Sequence, residues 1–247
     1  MRKGTLFSNL FRSVCFLCSV GFLVWAYQSG YFQLITDNPE EFSVLFTEHL
    51  KLVAISSLLA IVISFPIGIL ITRERFKTFE WFFLNLANMG QAVPSIAVLA
   101  LIMLVLGIGL YTAVLALFMY SVLPILRNTV EGIRSVDHHL LDSARGMGLT
   151  PAQILFRIEI PNALPIIMGG IRTAVVLNIG SAALAYLIGG GGLGNYIFTG
   201  IEMLDSTYLL SGAVPVTLMA IVADYGLRLV ERAMTSKGIR LQQSIIK

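Results

Sequence analysis

The sequence predicts an all-α membrane protein with six transmembrane helices and both termini in the cytoplasm, and three observations lead there. The first is composition: 56% of the 247 residues are hydrophobic and 13% are charged, with a mean hydropathy of +0.82. A soluble domain carries about 25% charged residues, because its surface must face water. The second is a series of apolar segments, each near the roughly 20 residues a helix needs to cross a bilayer. The third is that Lys and Arg are rich in every other loop, the asymmetry that sets orientation. The net charge of +3 is small and its basic residues are dispersed, which excludes a nucleic-acid partner.

The elements follow in order. Residues 1–12 read as a cytoplasmic tail carrying Arg2, Lys3 and Arg12. An apolar run from Val14 to Trp25 opens the first span. It exits through Trp25, Tyr27 and Gln28, which are not the small residues of a signal-peptide cleavage site, and apolar character resumes through Tyr31, Phe32, Leu34 and Ile35. The span is therefore read as uncleaved. Cys15 and Cys18 lie within it as small hydrophobes, since a redox C-x-x-C needs a strand context that is missing. An acidic outer loop, Thr36–Lys51, carries Asp37, Glu40, Glu41 and Glu48. The second span, Leu52–Thr72, ends at Arg73, Arg75 and Lys77 on the inner side. The third, Phe82–Leu106, and the fourth, Leu110–Leu126, are joined by an uncharged outer turn. A long inner loop with Arg127, Arg134, Arg145 and Arg157 leads to the fifth span, Ile171–Ile188. Glu202 and Asp205 mark the last outer loop before the sixth span, Leu209–Leu229. Arg232, Lys237, Arg240 and Lys247 return the chain to the cytoplasm, so residues 13–232 form one transmembrane domain and 233–247 a C-terminal tail. Arg172 stands at a span edge, and Asp224 and Arg228 near an inner end. A charge at a helix centre costs about 2.5–3.5 kcal/mol on insertion, so these edge placements fit.

The loop from Arg127 to Pro165 exceeds what joins neighbouring spans, and long loops are usually functional. Asp137 is placed as an N-cap, Pro151 follows Thr150 as an N1 proline should, and apolar residues recur at helical spacing. Two short surface helices are expected, about Asp137–Met147 and Thr150–Glu159. Between and after them stand Asp142-Ser143-Ala144, Arg145, Gly148, and Ile158-Glu159-Ile160-Pro161. A helix, a glycine at the turn and a second helix make a compact knob.

This spacing resembles the EAA loop of binding-protein-dependent ABC importer permeases: E-A-A-x-x-x-G, nine residues, then I-x-L-P. Asp142, Ser143 and Ile160 depart from it conservatively. Further stretches read in order: Gln91-Ala92-Val93-Pro94-Ser95, Leu123 to Thr129, Gly146-Met147-Gly148, Ala163 to Thr173, and Ile188-Gly189-Gly190-Gly191-Gly192-Leu193-Gly194. From about Leu50 to Asp224 the chain is similar to the osmoprotectant branch, importers of glycine betaine, choline, carnitine and related quaternary ammonium compounds. Methionine-type permeases share the loop and the MetI-like six-helix fold but fit the flanking stretches less well. The resemblance implies a permease subunit in a bacterial cytoplasmic (inner) membrane, working as two copies or with a homologous partner. It implies two ATPase subunits beneath, which bind the ATP and magnesium and hydrolyse the nucleotide, so that this chain needs no cofactor and is no enzyme. It implies an external substrate-binding protein, on which the aromatic cage for the cargo resides; the chain ends soon after its sixth span, so no such domain is expected fused to it. The knob, about residues 137–165, would dock on the ATPase through Asp142, Ser143, Ala144, Gly148, Ile158 and Pro161, with Arg145 and Arg157 as ionic contacts.

Other motifs weigh less. Gly189-x-Gly191-x-x-Gly194 matches a dinucleotide fingerprint literally, but it follows an apolar span rather than a strand. A close-packed turn or re-entrant segment at an outer gate is expected from Gly189, Gly191, Gly192 and Gly194. A phosphate-binding G-x-x-x-x-G-K-[ST] is missing, so the chain is not the ATPase. His138 and His139 are adjacent and diverge on a helix, so no metal site is expected, and no catalytic grouping has a common site. Asn85, Asn88 and Gln91 recur at i and i+3 and make one polar stripe, Pro94 should bend the helix after it, and Asn178 and Ser181 form a weaker pair. These six either line a translocation path or bond between helices for stability. Phe82, Phe83, Tyr111, Phe118 and Tyr120 show no cage-like grouping along the chain. Three alternatives stay open: an ABC permease for another solute such as an amino acid, an ion-coupled secondary transporter, and an assembly component. The second lacks the midplane carboxylate such carriers use.

Overall fold

A computed structural model describes residues 2–236 and residue 238. The side chains of Arg2, Lys3 and Arg12, and the tail residues Lys237, Arg240 and Lys247 assigned to the cytoplasm, lie outside what it describes. No strand occurs among the described residues.

Helix α1 (Arg2–Gln28) already begins in the stretch read as a tail. Short α2 (Gln33–Asp37) leads into α3 (Pro39–Ile71). The loop expected over Thr36–Lys51 is therefore mostly helix: Pro39 starts it, and Glu40 and Glu41 occupy its first turn, where the helix dipole favours carboxylates. Hydropathy alone placed the boundary too late. A single 3-10 turn at Glu74–Phe76 separates α3 from α4 (Lys77–Ala92). The third span is not one bent helix but two, because Val93 is extended ahead of Pro94 and α5 (Ser95–Leu106) restarts after it.

Helix α6 (Leu110–Arg134) runs past the predicted Leu126 boundary. Leu126, Thr129, Val130 and Ile133 stay buried at helical spacing, so packing carries the helix through a polar stretch. The long inner loop shrinks accordingly. Only α7 (His138–Gly146) stands as a separate short helix within it. The second expected surface helix is a correction: α8 (Pro151–Ile154) continues through a π turn at Leu155–Glu159 into α9 (Ile160–Ala182). A 3-10 segment (Ala183–Ile188) prolongs it, and α10 (Gly194–Met203) and α11 (Ser206–Met234) complete the chain. Four helical stretches, Pro39–Ile71, Leu110–Arg134, Pro151–Ile188 and Ser206–Met234, are long and apolar enough to cross a membrane; Ser13–Gln28 and Ser95–Leu106 are shorter apolar helices.

Helix α6 is the axis, packed between α3 and α9, with α11 against α9 and α10, and α4 and α5 against α6. Small residues let these helices close. A Cβ on Gly170 would stand 2.6 Å from the Pro124 carbonyl oxygen, so glycine sets the α6–α9 approach. Leu52, Leu117, Ile179, Leu193 and Tyr196 fill one end of the core, and Ile125, Ile133, Ala144 and Ile167 the other. The outward faces of α5 and α11 stay apolar and exposed, as at Leu104, Val105, Ile221 and Val222. Surfaces like these suit lipid or another apolar helix rather than water.

Candidate functional site

Helix α7 is defined by its caps. The Asp137 carboxylate accepts the His139 backbone N–H at 2.8 Å. At the other end Gly148 adopts φ +77°. Its N–H donates to the Arg145 carbonyl at 2.9 Å, and that of Leu149 to the Ala144 carbonyl at 3.1 Å. This pair of bonds is the Schellman closure, for which glycine is the preferred residue. Thr150 and Gln153 then form a reciprocal capping box with Pro151 in the first turn.

The inner side of the knob is rooted: Ala144 is fully buried and Leu141 nearly so, packed with Ile133, Ile154 and Ile167. Its outer side carries an exposed Asp142–Arg145 pair at 3.1 Å, which orients both side chains and adds little stability. Ser143 donates to the His139 carbonyl at 2.7 Å. Around the pair, Leu140, Met147 and Phe156 are 45%, 70% and 68% exposed. Arg127 and Arg157 are also exposed. Ile158 is half-buried and Pro161 opens α9. The structure thus brings six of the seven expected docking residues into one knob and its root, with Pro161 at the start of the adjoining helix; Ala144, expected as a docking residue, is fully buried and roots the knob instead of forming its surface.

What sequence reading missed is the anchor. Glu159, on the π turn, receives two bonds from Arg73, from Nη1 at 3.1 Å and Nη2 at 2.5 Å, and its side chain is only 10% exposed. Arg134 likewise pairs with Glu80, tying α6 to α4. Arg172 bonds Asp224 at 2.9 Å and Glu231 at 3.2 Å, so the charges noted at span edges neutralise one another between α9 and α11. No local pattern announces these pairs, because each partner lies on another element.

At the opposite end, the Gly189–Gly192 turn carries φ values of +70°, +75° and +87° at Gly189, Gly191 and Gly192. The Glu48 carboxylate accepts the Gly192 N–H at 2.9 Å. The Gly109 N–H donates to the Ile188 carbonyl at 2.9 Å, and Gly194 sits tightly against Ala183. The turn is therefore packed onto α3 and the start of α6. His49, beside it, is fully buried and bonds the Ile179 carbonyl through Nε2 at 3.0 Å. The spacing Leu45, His49, Leu52, Ser56 could have placed that histidine on a buried helix face.

The six residues expected to line a path do not converge. Asn85 donates to the Trp81 carbonyl at 2.7 Å, Asn88 is exposed, and Gln91 donates to the Tyr120 carbonyl at 3.1 Å. Pro94 caps α5. Asn178 is buried and donates to Ser56 and Ser57 at 2.7 and 2.8 Å, an interhelical bond to α3. Ser181 reaches a small gap beside Tyr120. A separate cavity of about 440 Å³ opens between α3, α4 and α6, and none of the six lines it. Its walls include Ser64, Phe83, Met89, Phe118 and Met119.

Residues 64–236 match the family described as the binding-protein-dependent transport system inner membrane component. The choline transport system permease protein OpuBB of Bacillus subtilis (strain 168) is 44% identical over 208 residues, 84% of this chain and 95% of that one. The glycine betaine/carnitine/choline transport system permease protein OpuCB of the same organism is 46% identical over 193 residues, 78% and 88% of the two chains. The osmoprotectant import permease protein OsmW of Salmonella typhimurium (strain LT2) is 43% identical over 209 residues, 83% and 96%. In fold, the chain is similar to the MetNI methionine ABC transporter in an inward-facing crystal form, with a TM-score of 0.69 at 22% identity, covering 79% of this chain and 97% of that one.

Proposed function

The chain belongs to the family of binding-protein-dependent transport system inner membrane components, and from that membership we propose that it is the permease subunit of an ATP-driven osmoprotectant importer. Glycine betaine, choline, carnitine or a similar quaternary ammonium compound is the cargo. Support for the cargo comes from relatives above 40% identity, over most of both chains, that are named for those solutes. Two permease chains, identical or homologous, pair in the bacterial cytoplasmic membrane with both termini inside. An external binding protein delivers the solute. Two ATPase subunits hold ATP and magnesium and perform the hydrolysis, while this chain carries no chemistry of its own.

The observation that carries the reading is the capped knob of α7, with exposed apolar side chains around an ionic pair and a fully buried Ala144 at its root. A surface of that kind suits a groove on a soluble partner: apolar residues give affinity and the ion pair gives register. Asp142, Ser143, Arg145 and Gly148 form the contact, and Arg157 extends it. Sidedness is supported by loop charge, since Arg73, Arg145 and Arg157 gather at the knob end while Glu48 lies at the glycine turn. The glycine turn at 189–194 then acts as a packed outer gate. The test is a mild-detergent purification of this chain from its native membrane, with mass spectrometry of what accompanies it. A Walker-motif ATPase in matching amounts is expected. A chain that emerges alone, under conditions that keep known importers whole, refutes the ATP-driven reading.

A further inference from the structure

The cavity between α3, α4 and α6 has chemistry that the knob does not explain. Phe83 reaches it from α4 and Phe118 from α6, two rings separated by 35 positions in sequence. Met89 and Met119 stand at its rim, 69% and 45% exposed. Among the described residues that line it there is no Asp, Glu, Lys, Arg or His. One wall carries a polar group without a partner: Ser64 is 1% exposed and its Oγ makes no hydrogen bond. Ser56, Ser121 and Thr129 show what a helical hydroxyl does by default, each donating to the carbonyl four residues back at 2.6, 2.9 and 2.7 Å. A buried hydroxyl left unpaired is disfavoured, so an intermittent partner in the cavity is the economical account.

We propose that this cavity is a transit site for the trimethylammonium head of the cargo, held by the faces of Phe83 and Phe118, with the Ser64 hydroxyl bonding the polar end of the solute. The proposal rests on the osmoprotectant reading above and adds the contact residues within the membrane. A quaternary ammonium has no N–H to donate, so it gains nothing from carbonyls as a hydrogen-bond donor; an aromatic face attracts it by the ring quadrupole, and thioether sulfur is soft and polarisable. A buried carboxylate would hold such a cation too firmly for passage. Two rings and a hydroxyl hold it weakly, as a site that must release its cargo requires. The volume, about 440 Å³, lies within the range of small-molecule pockets. An acyl chain could fill the same space, but it offers the hydroxyl no partner.

The test uses the whole importer, permease with its ATPase and binding protein, in proteoliposomes with radiolabelled glycine betaine and choline. Position 118 is replaced by mono-, di- and trifluorinated phenylalanine, which weaken the quadrupole stepwise at nearly constant shape. Uptake is expected to fall with each fluorine, reaching roughly tenfold at the third. Uptake indifferent to fluorination overturns the site, and is the outcome for a cavity filled by lipid or by the second permease. A wild-type importer that moves no quaternary ammonium solute overturns the osmoprotectant reading itself. Since a fluorinated chain could assemble poorly, a photoactivatable quaternary ammonium is also added to the wild-type importer. Labelling on α4 and α6 around the cavity supports the site, and active uptake without labelling there overturns it.

Discussion

Replacing Gly148 by aspartate separates coupling from folding, because the site offers the substitution space but not a comfortable backbone. A Cβ built on Gly148 meets nothing within 4 Å, so no steric clash follows. The residue sits at φ +77°, where an L-residue is disfavoured by roughly 1–2 kcal/mol. Asp tolerates the left-handed region better than most, which puts the expected loss near the lower figure. Domains are stable by about 5–15 kcal/mol, so the variant keeps its fold and its place in the membrane. What changes is the surface: a second carboxylate appears six residues from Asp142, beside exposed Met147. Gly148→Ala is the control, since it carries comparable backbone strain without the charge. Uptake by the reconstituted importer, with co-purification of the ATPase, is the assay. Gly148→Ala should retain substantial uptake, whereas Gly148→Asp should lose it while the chain remains membrane-inserted. Wild-type transport by Gly148→Asp refutes the assignment of the knob to coupling.

Other outcomes follow from the packing. Gly170→Ala forces a methyl group against the Pro124 carbonyl and should destabilise the chain by about 1–3 kcal/mol, read as a lower Tm in detergent; an unchanged Tm contradicts the close α6–α9 approach. Arg73→Ala strands a carboxylate that is 10% exposed, and its loss should be partly relieved by adding Glu159→Gln; additive effects in this double-mutant cycle argue against the ion pair. In a background lacking Cys15 and Cys18, a single cysteine at exposed position 88 should react with a water-soluble maleimide ahead of cysteines at 85 and 91, whose native side chains bond backbone carbonyls. Protection at all three in every state removes Asn85, Asn88 and Gln91 from the path.

Much of the fold was legible because the membrane imposes a simple code of apolar length and loop charge. The order of apolar segments, the Asp137 cap and the Thr150-Pro151 helix start could all be read locally, since each depends on neighbours a few residues away. Helix boundaries were not so readable. Helix α6 continues through Arg127, Asn128 and Thr129 because only one of its faces needs to be apolar, which a hydropathy window averages away. The knob residues were legible through spacing, but their anchor was not: Arg73 and Glu159 meet across 86 positions. Asn178 stood out as polar in an apolar helix, yet its partners, Ser56 and Ser57, carried no mark. Phe83 and Phe118 looked like ordinary packing until the helices that carry them faced one cavity.

The continuous helical stretch from Pro151, with a π turn and two prolines near its start and a 3-10 segment at its end, has a mechanical consequence. Its 38 residues to Ile188 amount to a rod of roughly 57 Å at about 1.5 Å per residue. The knob is braced against one end, where Ala144 packs on Ile154, and the glycine turn hangs from the other. A tilt of roughly 5° at the Pro151 end sweeps the far end through roughly 5 Å. Displacement on that scale exceeds the reach of the single bond from the Gly192 N–H to Glu48. A tilt at the knob end would therefore carry to the glycine turn largely through the backbone of this helical stretch.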